Sequence, residues 1–279
     1  MNAPIPVNEP VITPAAKRYV MDALETGWIS SAGPYIDKFE KAFAHAIGVK
    51  HAVLTTSGTT ALHLALVSLG IGPEDEVIVP DFTMIASVFA VLYTGAKPVF
   101  VDIEPDTYNL DPALIEAKIT PRTKAIMPVH LFGHSCDMDP ILKIAQKHNI
   151  AVLEDAAEAH GATYNGRTCG SMGTMSAFSF YGNKIISTGE GGIVCTNDDA
   201  LAERARSLHD LSHSPAKRFL HEQVGFNYRM TNLQAALGLG QMEHLEKCLE
   251  RKRSMTARDN KGLRDIRGLQ LPVTKYYAG

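Results

Sequence analysis

Apolar positions recur along this chain in two alternating rhythms. The first is short and continuous: His51 to Thr55, Glu76 to Pro80, Lys97 to Asp102, Ala125 to Val129 and Ile150 to Asp155 are apolar runs with few polar interruptions. The second has helical spacing. Pro14 opens a stretch through Ala15, Val20, Ala23 and Leu24 that stops at Gly27, and residues 35–46 place Ile36, Phe39, Phe43 and Ala46 on one face. Ala61 to Gly70 is apolar all round and predicts a buried helix. Further helical stretches fall around Ile85 to Leu92, Asp111 to Ile119 and Ile141 to His148, and residues 231–253 carry Leu233, Leu237, Leu245 and Leu249 at helical spacing. Strands that are apolar throughout, alternating with helices, predict an α/β fold whose mostly parallel sheet is covered on both faces. In such a sheet ligands gather at the carboxyl ends of the strands.

Composition narrows the function classes. The chain has 279 residues, 45% hydrophobic and 20% charged, enough for one large domain or one and a half, and 27 basic against 30 acidic residues give a formal charge of −3. Without a basic run there is no footprint for nucleic acid or an anionic membrane, so small-molecule chemistry or protein partners are expected. Cys136, Cys169, Cys195 and Cys248 stand far apart with no C-x-x-C spacing, which suggests reduced thiols rather than a disulfide framework or zinc knuckle. Residues 1–13 are Pro-rich and read as extended. Met1 to Val7 shows no basic region leading into an apolar one, and no apolar run has membrane-spanning length, so a cytoplasmic location is expected.

Candidate chemistry lies where the runs end. Ser57-Gly58-Thr59-Thr60 stands between a strand and a helix start, presenting backbone N–H groups and hydroxyls to an anion such as phosphate; an N-cap without a ligand explains it equally. It is not a Walker loop, and no G-x-G-x-x-G follows a strand. Asp155 opens Asp155-Ala156-Ala157-Glu158-Ala159-His160, too poor in ligands for a metal; a carboxylate at a strand end among alanines more naturally pairs with a cation or a protonated ring nitrogen. Lys184, in Ser179-Phe180-Tyr181-Gly182-Asn183-Lys184, stands just past an apolar strand among small residues, where it is either a solvated charge or an amine kept for a flat cofactor. Trp28, the only tryptophan, is expected to anchor its loop on the core more readily than to line a ligand site. The polar stretch Leu208 to Glu222, with His209, His213 and His221, reads as a solvated loop that could alternatively cover a neighbour's site. His160 reads as a hydrogen-bonded core histidine or a substrate neighbour, and Arg229 as a partner for carboxylate or phosphate.

Six motifs in order then carry a family likeness: Ser-Gly-Thr-Thr-Ala-Leu-His-Leu-Ala-Leu (57–66), Asp-Glu-Val-Ile-Val-Pro (75–80), Glu-Asp-Ala-Ala-Glu-Ala-His-Gly-Ala (154–162), Ser-Phe-Tyr-Gly-Asn-Lys (179–184), Thr-Gly-Glu-Gly-Gly (188–192) and Asn-Tyr-Arg-Met-Thr-Asn-Leu-Gln-Ala-Ala (227–236). Together they resemble the DegT-type (DegT/DnrJ/StrS) sugar aminotransferases, nearest to the perosamine synthase kind of nucleotide-sugar 4-aminotransferase. The resemblance implies a three-layer PLP-dependent transferase of fold type I, aspartate aminotransferase-like. It implies pyridoxal 5'-phosphate as cofactor, L-glutamate as amino donor and a 4-keto-6-deoxy nucleotide sugar as acceptor. Lys184 becomes the Schiff-base lysine and proton carrier, and Asp155 the partner of the pyridine N1–H. Ser57, Gly58, Thr59 and Ser179 take the phosphate. Glu158 stands where many relatives carry a glutamine against the cofactor's O3', and Met84 where an aromatic residue commonly covers the ring. Asn227 implies a homodimer, since it matches a residue reaching the neighbouring subunit's phosphate.

The implied organisation is an N-terminal arm and loop (1–30), a PLP-binding large domain (31–232), and a linking helix with the start of an incomplete small C-terminal domain (233–279). Leu269 to Pro272 is a short apolar run within this last part, and the chain is expected to be C-terminally truncated. Two alternatives accompany this reading: a PLP-binding regulatory protein without catalysis, and a PLP-dependent sugar dehydratase relative, disfavoured because those relatives carry histidine where this chain has Lys184.

Overall fold

The computed structural model describes residues 8–279 except Pro215, Arg218 and Glu222. Residues 1–7 of the expected extended segment, and Glu222 at the end of the polar stretch, lie outside the described residues. In chain order the elements are α1 (Pro14–Glu25), α2 (Pro34–Ile47), β1 (His51–Thr55), α3 (Gly58–Ser68), β2 (Glu76–Pro80), α4 (Ile85–Tyr93), β3 (Lys97–Val101), α5 (Pro112–Ile115), β4 (Thr123–Ile126), α6 (Met138–His148), β5 (Ala151–Asp155), β6 (Thr163–Tyr164), β7 (Arg167–Thr168), β8 (Met175–Ser179), β9 (Gly192–Thr196), α7 (Asp199–His209), α8 (Asn232–Met242) and α9 (Leu245–Leu263). Local chemistry starts many of the helices. Thr13 caps α1 by accepting from Ala16 N–H, with Pro14 at the first position; Asp198 caps α7; and Thr231 with Gln234 forms a reciprocal capping box on α8.

Seven strands form one sheet in the order β1-β9-β8-β5-β4-β2-β3, in which only β9 runs against its neighbours. The continuous apolar runs follow from burial on both faces. Along β2, Val77 and Val79 face one cluster with α3 and α4 while Ile78 faces a second with α5 and α6. Along β8, Met175 and Ala177 join the first cluster, whereas Phe178 packs with Phe39 and Phe43 of α2 in a third. The inner strands thus need apolar residues at both parities, and the result is a three-layer α/β sandwich.

Several expectations are corrected. The helix expected from Asp111 to Ile119 is four residues of α5 followed by a 3-10 turn, Glu116–Lys118. The run Ala125 to Val129 leaves the regular ladder after Ile126, because Pro128 has no N–H to give; Val129 still bridges to Asp155. The leucine periodicity of residues 231–253 spans two helices, α8 and α9, broken at Glu243–His244. Leu269 to Pro272 forms no strand. The later residues 277–279 pair with β6 instead: Thr163 N–H donates to Gly279 O at 2.7 Å and Asn165 N–H to Tyr277 O at 2.7 Å. Trp28 is 54% exposed and does not anchor its loop; buried Asn232 does so, donating from Nδ2 to Trp28 O. The polar stretch begins on the core, since Leu208 at the end of α7 is buried.

Candidate active site

Three loops meet at the carboxyl edge of the sheet. After β8 the chain folds back on itself, with Phe180 N–H donating to Gly191 O, Thr188 N–H to Phe180 O and Lys184 N–H to Tyr181 O. This places Lys184 inward. Its side chain is 16% exposed and Nζ donates to Glu158 Oε1 at 3.1 Å, so the solvated reading fails. The other oxygen of Glu158 accepts from the backbone N–H of Phe132 at 2.8 Å.

Asp155 ends β5 with a buried carboxylate. Oδ2 accepts from Ser87 Oγ at 2.7 Å, Oδ1 accepts from Ala157 N–H at 3.1 Å, and Ser87 Oγ lies 2.9 Å from Thr83 Oγ1. Burial pushes the carboxyl's pKa above its ordinary value; the bonds from Ser87 and Ala157 and the charge of Lys184 offset this only partly. Such a carboxylate has room for one more positive or N–H-bearing partner. Glu154, one residue earlier, supports the strand end from the opposite face. It accepts from Gly170, Met172 and Gly173 N–H groups and pairs with His130 Nε2 at 3.0 Å. His130 Nδ1 accepts from Cys136 N–H, which assigns the ring's proton to Nε2, facing Glu154. The His130 backbone N–H also donates to Asp155 O at 3.0 Å, tying the two carboxylates into one frame.

The third loop is the start of α3. Ser57 Oγ accepts from Thr60 N–H at 3.1 Å and Thr60 Oγ1 accepts from Ser57 N–H at 3.0 Å, a capping box that leaves the first N–H groups of the helix, Gly58 and Thr59, without intrahelical acceptors. Ser57 therefore shapes this turn with its hydroxyl already engaged. The loop ends touch here: a Cβ on Gly58 would lie 2.7 Å from Ser179 Cβ, and one on Gly192 would lie 2.3 Å from Ser57 O. Only glycine lets β8, β9 and the helix start close together, and the unpaired N–H groups there suit an anion.

The remaining candidates are less central. Met84 is the 72%-exposed N-cap of α4, one turn ahead of Ser87. Asn227 is exposed; Oδ1 accepts from Arg229 Nε at 3.1 Å and its backbone bridges to Asp210, whose carboxylate pairs with Arg229 Nη1 at 2.7 Å. Arg229 thus serves a carboxylate of this chain. His160 is buried among Phe43, Phe178 and Phe180, but its Nε2 has no hydrogen-bond partner among the described residues, and burial beside the Lys184 charge pushes its pKa down to about 3. It is a neutral core histidine without the expected hydrogen bond at that nitrogen. Sequence reasoning missed Ser87, His130 and the Phe132 N–H. Ser87 had a signal, a small hydroxyl in the apolar run Ile85 to Leu92; the other two act through a long-range pairing and a backbone atom, which leave none.

Among the described residues, no group of three or more His, Cys, Asp or Glu could hold a metal ion, and no helix is long and apolar enough to cross a membrane. GDP-perosamine synthase of Caulobacter vibrioides is 58% identical over 245 residues, covering 88% of this chain and 66% of that protein. The GDP-perosamine synthase of Escherichia coli is 49% identical over 251 residues, covering 90% and 69%. The chain spans about two thirds of the length of these curated relatives. Among solved structures, the PLP form of Spr1654 from Streptococcus pneumoniae superposes with a TM-score of 0.92 at 31% identity, covering 98% of this chain and 75% of that one. With residues 10–277 matching its family description, the chain belongs to the DegT/DnrJ/EryC1/StrS aminotransferase family.

Proposed function

We propose that this chain carries the cofactor site of a pyridoxal-phosphate-dependent aminotransferase that moves the amino group of L-glutamate to a keto nucleotide sugar of the 4-keto-6-deoxyhexose type, as the names of its perosamine synthase relatives suggest. The observation that carries it is one edge of the sheet holding an inward lysine, an under-bonded buried aspartate and a helix start narrowed by two glycines. These suit pyridoxal phosphate: Asp155 for the pyridine N–H, the Ser57–Thr60 turn with Ser179 for the phosphate, Lys184 for the aldehyde carbon, and Glu158 and Met84 for the rest of the ring. When bound, the cofactor supplies an electron sink for the pair released as a C–H bond beside nitrogen breaks. With the cofactor bound, Lys184 Nζ as the neutral amine would accept that proton and as the ammonium would give it back, and Glu158 Oε1 is the partner that would hold the ammonium. Asp155 would accept from the ring N–H, and its carboxylate would favour the protonated ring nitrogen.

Residues 31–232 form the cofactor-binding unit in this reading, with 1–30 as its arm and 233–279 leading away from it. Asn227 reaches the phosphate of a second subunit, which makes a homodimer the working form. Four free cysteines, three of them buried, suit a reducing cytoplasm. The test is spectroscopic. The protein with pyridoxal phosphate shows a visible absorption band that L-glutamate bleaches, and Lys184→Ala shows none. A band unchanged in Lys184→Ala overturns the assignment, and one that glutamate never bleaches points to a binding protein without catalysis.

A further inference from the structure

Phe132 departs twice from what its residue type favours. Its backbone lies at φ 52°, ψ 22°, the left-handed region that bulky residues avoid, and its side chain is 80% exposed beside the buried His130 and Leu131. The turn is held on several sides. Leu131 N–H donates to Asn109 Oδ1 at 3.1 Å, Gly133 N–H to His130 O at 3.1 Å, and Phe132's own N–H to Glu158 Oε2 at 2.8 Å. The turn contributes only backbone atoms to all three, so glycine at this position would keep them without the strain. Strain retained at such a point marks a residue kept for its side chain.

The Phe132 N–H, at the turn that carries the ring, donates to the carboxylate that accepts from Lys184. Two more exposed aromatics continue the line: Tyr108, also left-handed at φ 60°, adjoins Asn109, and the Phe82 ring lies 5.8 Å from it. Phe132, Phe82 and Tyr108 follow β4, β2 and β3, the order in which the sheet runs away from Asp155 and Lys184. With neighbouring strands about 4.8 Å apart, β4 lies about 10 Å from β8 and β3 about 19 Å. A sugar held at the lysine with its diphosphate and base trailing along that direction would meet the aromatics in that sequence.

Resting on the nucleotide-sugar reading above, we propose that Phe132 is the platform on which the hexose of the nucleotide sugar lies while its keto carbon faces Lys184. A hexose is uncharged and offers an apolar C–H face, which an aromatic ring complements and the Lys184–Glu158 pair does not. L-Glutamate has no such face, so the platform separates the two substrates.

The experiment titrates GDP-perosamine, the product named for the relatives, into the full cofactor-loaded chain by calorimetry and follows bleaching of the visible band by L-glutamate in parallel. Phe132→Gly, suited to the positive φ, weakens GDP-perosamine binding about tenfold and leaves the glutamate response unchanged, while Phe132→Tyr retains wild-type affinity. Phe132→Asn, which also tolerates this backbone, is the second ringless variant and behaves as the glycine does. Equal GDP-perosamine affinity in wild type and in both ringless variants overturns the proposal alone. So does a ringless variant that dissociates in sedimentation or loses the glutamate response as well, because the ring then serves assembly or the cofactor site. A wild-type chain that does not bind GDP-perosamine overturns the functional reading together with the proposal.

Discussion

Glu154 and Asp155 are consecutive, buried carboxylates on one strand, yet they are built to opposite ends. Glu154 points to the face where the chain between β7 and β8 wraps it. Burial alone would raise its pKa, but the bonds from His130, Gly173 and Gly170 win, and its carboxyl is held below the ordinary glutamate value. Asp155 receives only Ser87 and Ala157 N–H, and burial wins there. A carboxylate with its acceptor sites filled is architecture; one left short of partners in a dry place is available to a ligand.

The sharpest break in this comparison is Asp155→Asn. It keeps the shape but cannot hold a ring proton, so transamination should fall about 10²- to 10³-fold, the loss typical of one preorganised charge. The cofactor-free protein should gain thermal stability, because a carboxyl with a raised folded pKa contributes a penalty that grows as pH rises above its ordinary value of 3.8. A variant that stays active in steady-state assays would place the N1 partner elsewhere.

Glu154→Gln should do the reverse. Trading the charge for an amide that cannot serve three N–H groups and a histidine should cost about 2–3 kcal/mol in denaturant melts, with turnover little changed in whatever folds. The pH slope is opposite in sign to that of Asp155. With a lowered folded pKa, the stabilisation by Glu154 is complete above its ordinary value of 4.5 and is lost as pH falls through the folded value. Melting temperatures below that point should drop more steeply in the wild type than in Glu154→Gln. Equal slopes would show that the network is not set by this charge.

The smallest effect expected is from Ser87→Ala. It removes one of Asp155's two bonds, at 2.7 Å, and should slow turnover about tenfold, with a red- or blue-shifted cofactor band as the sign that the aspartate's hold on the ring nitrogen has changed. An unshifted band would confine Ser87 to packing in α4.

Most of the fold was legible because most strands of its sheet are buried on both faces: β1, β2 and β5 were visible as unbroken apolar runs, as was β3, an edge strand with Phe100 47% exposed. Legibility failed where local pattern and long-range pairing disagree. Leu269 to Pro272 has the composition of a strand but no sheet edge to join, while the backbone of residues 277–279 finds β6 and pairs. The leucines of 231–253 keep helical phase across a break that only packing enforces.

By itself the sequence determined which residues can do chemistry: a lysine past a strand, an aspartate among alanines, a hydroxyl-glycine turn, and the family motifs that contain them. Tertiary structure decided the state each one is in. Lys184 is inward because Glu158 takes its ammonium, Asp155 is under-bonded because Ser87 alone reaches it from α4, and Phe132 is strained because Asn109 and Glu158 grip its turn from elements distant in the chain. Residue type sets what bonds a group can form. Which of those bonds it is offered depends on chain folded beside it from far away, and no local pattern records that.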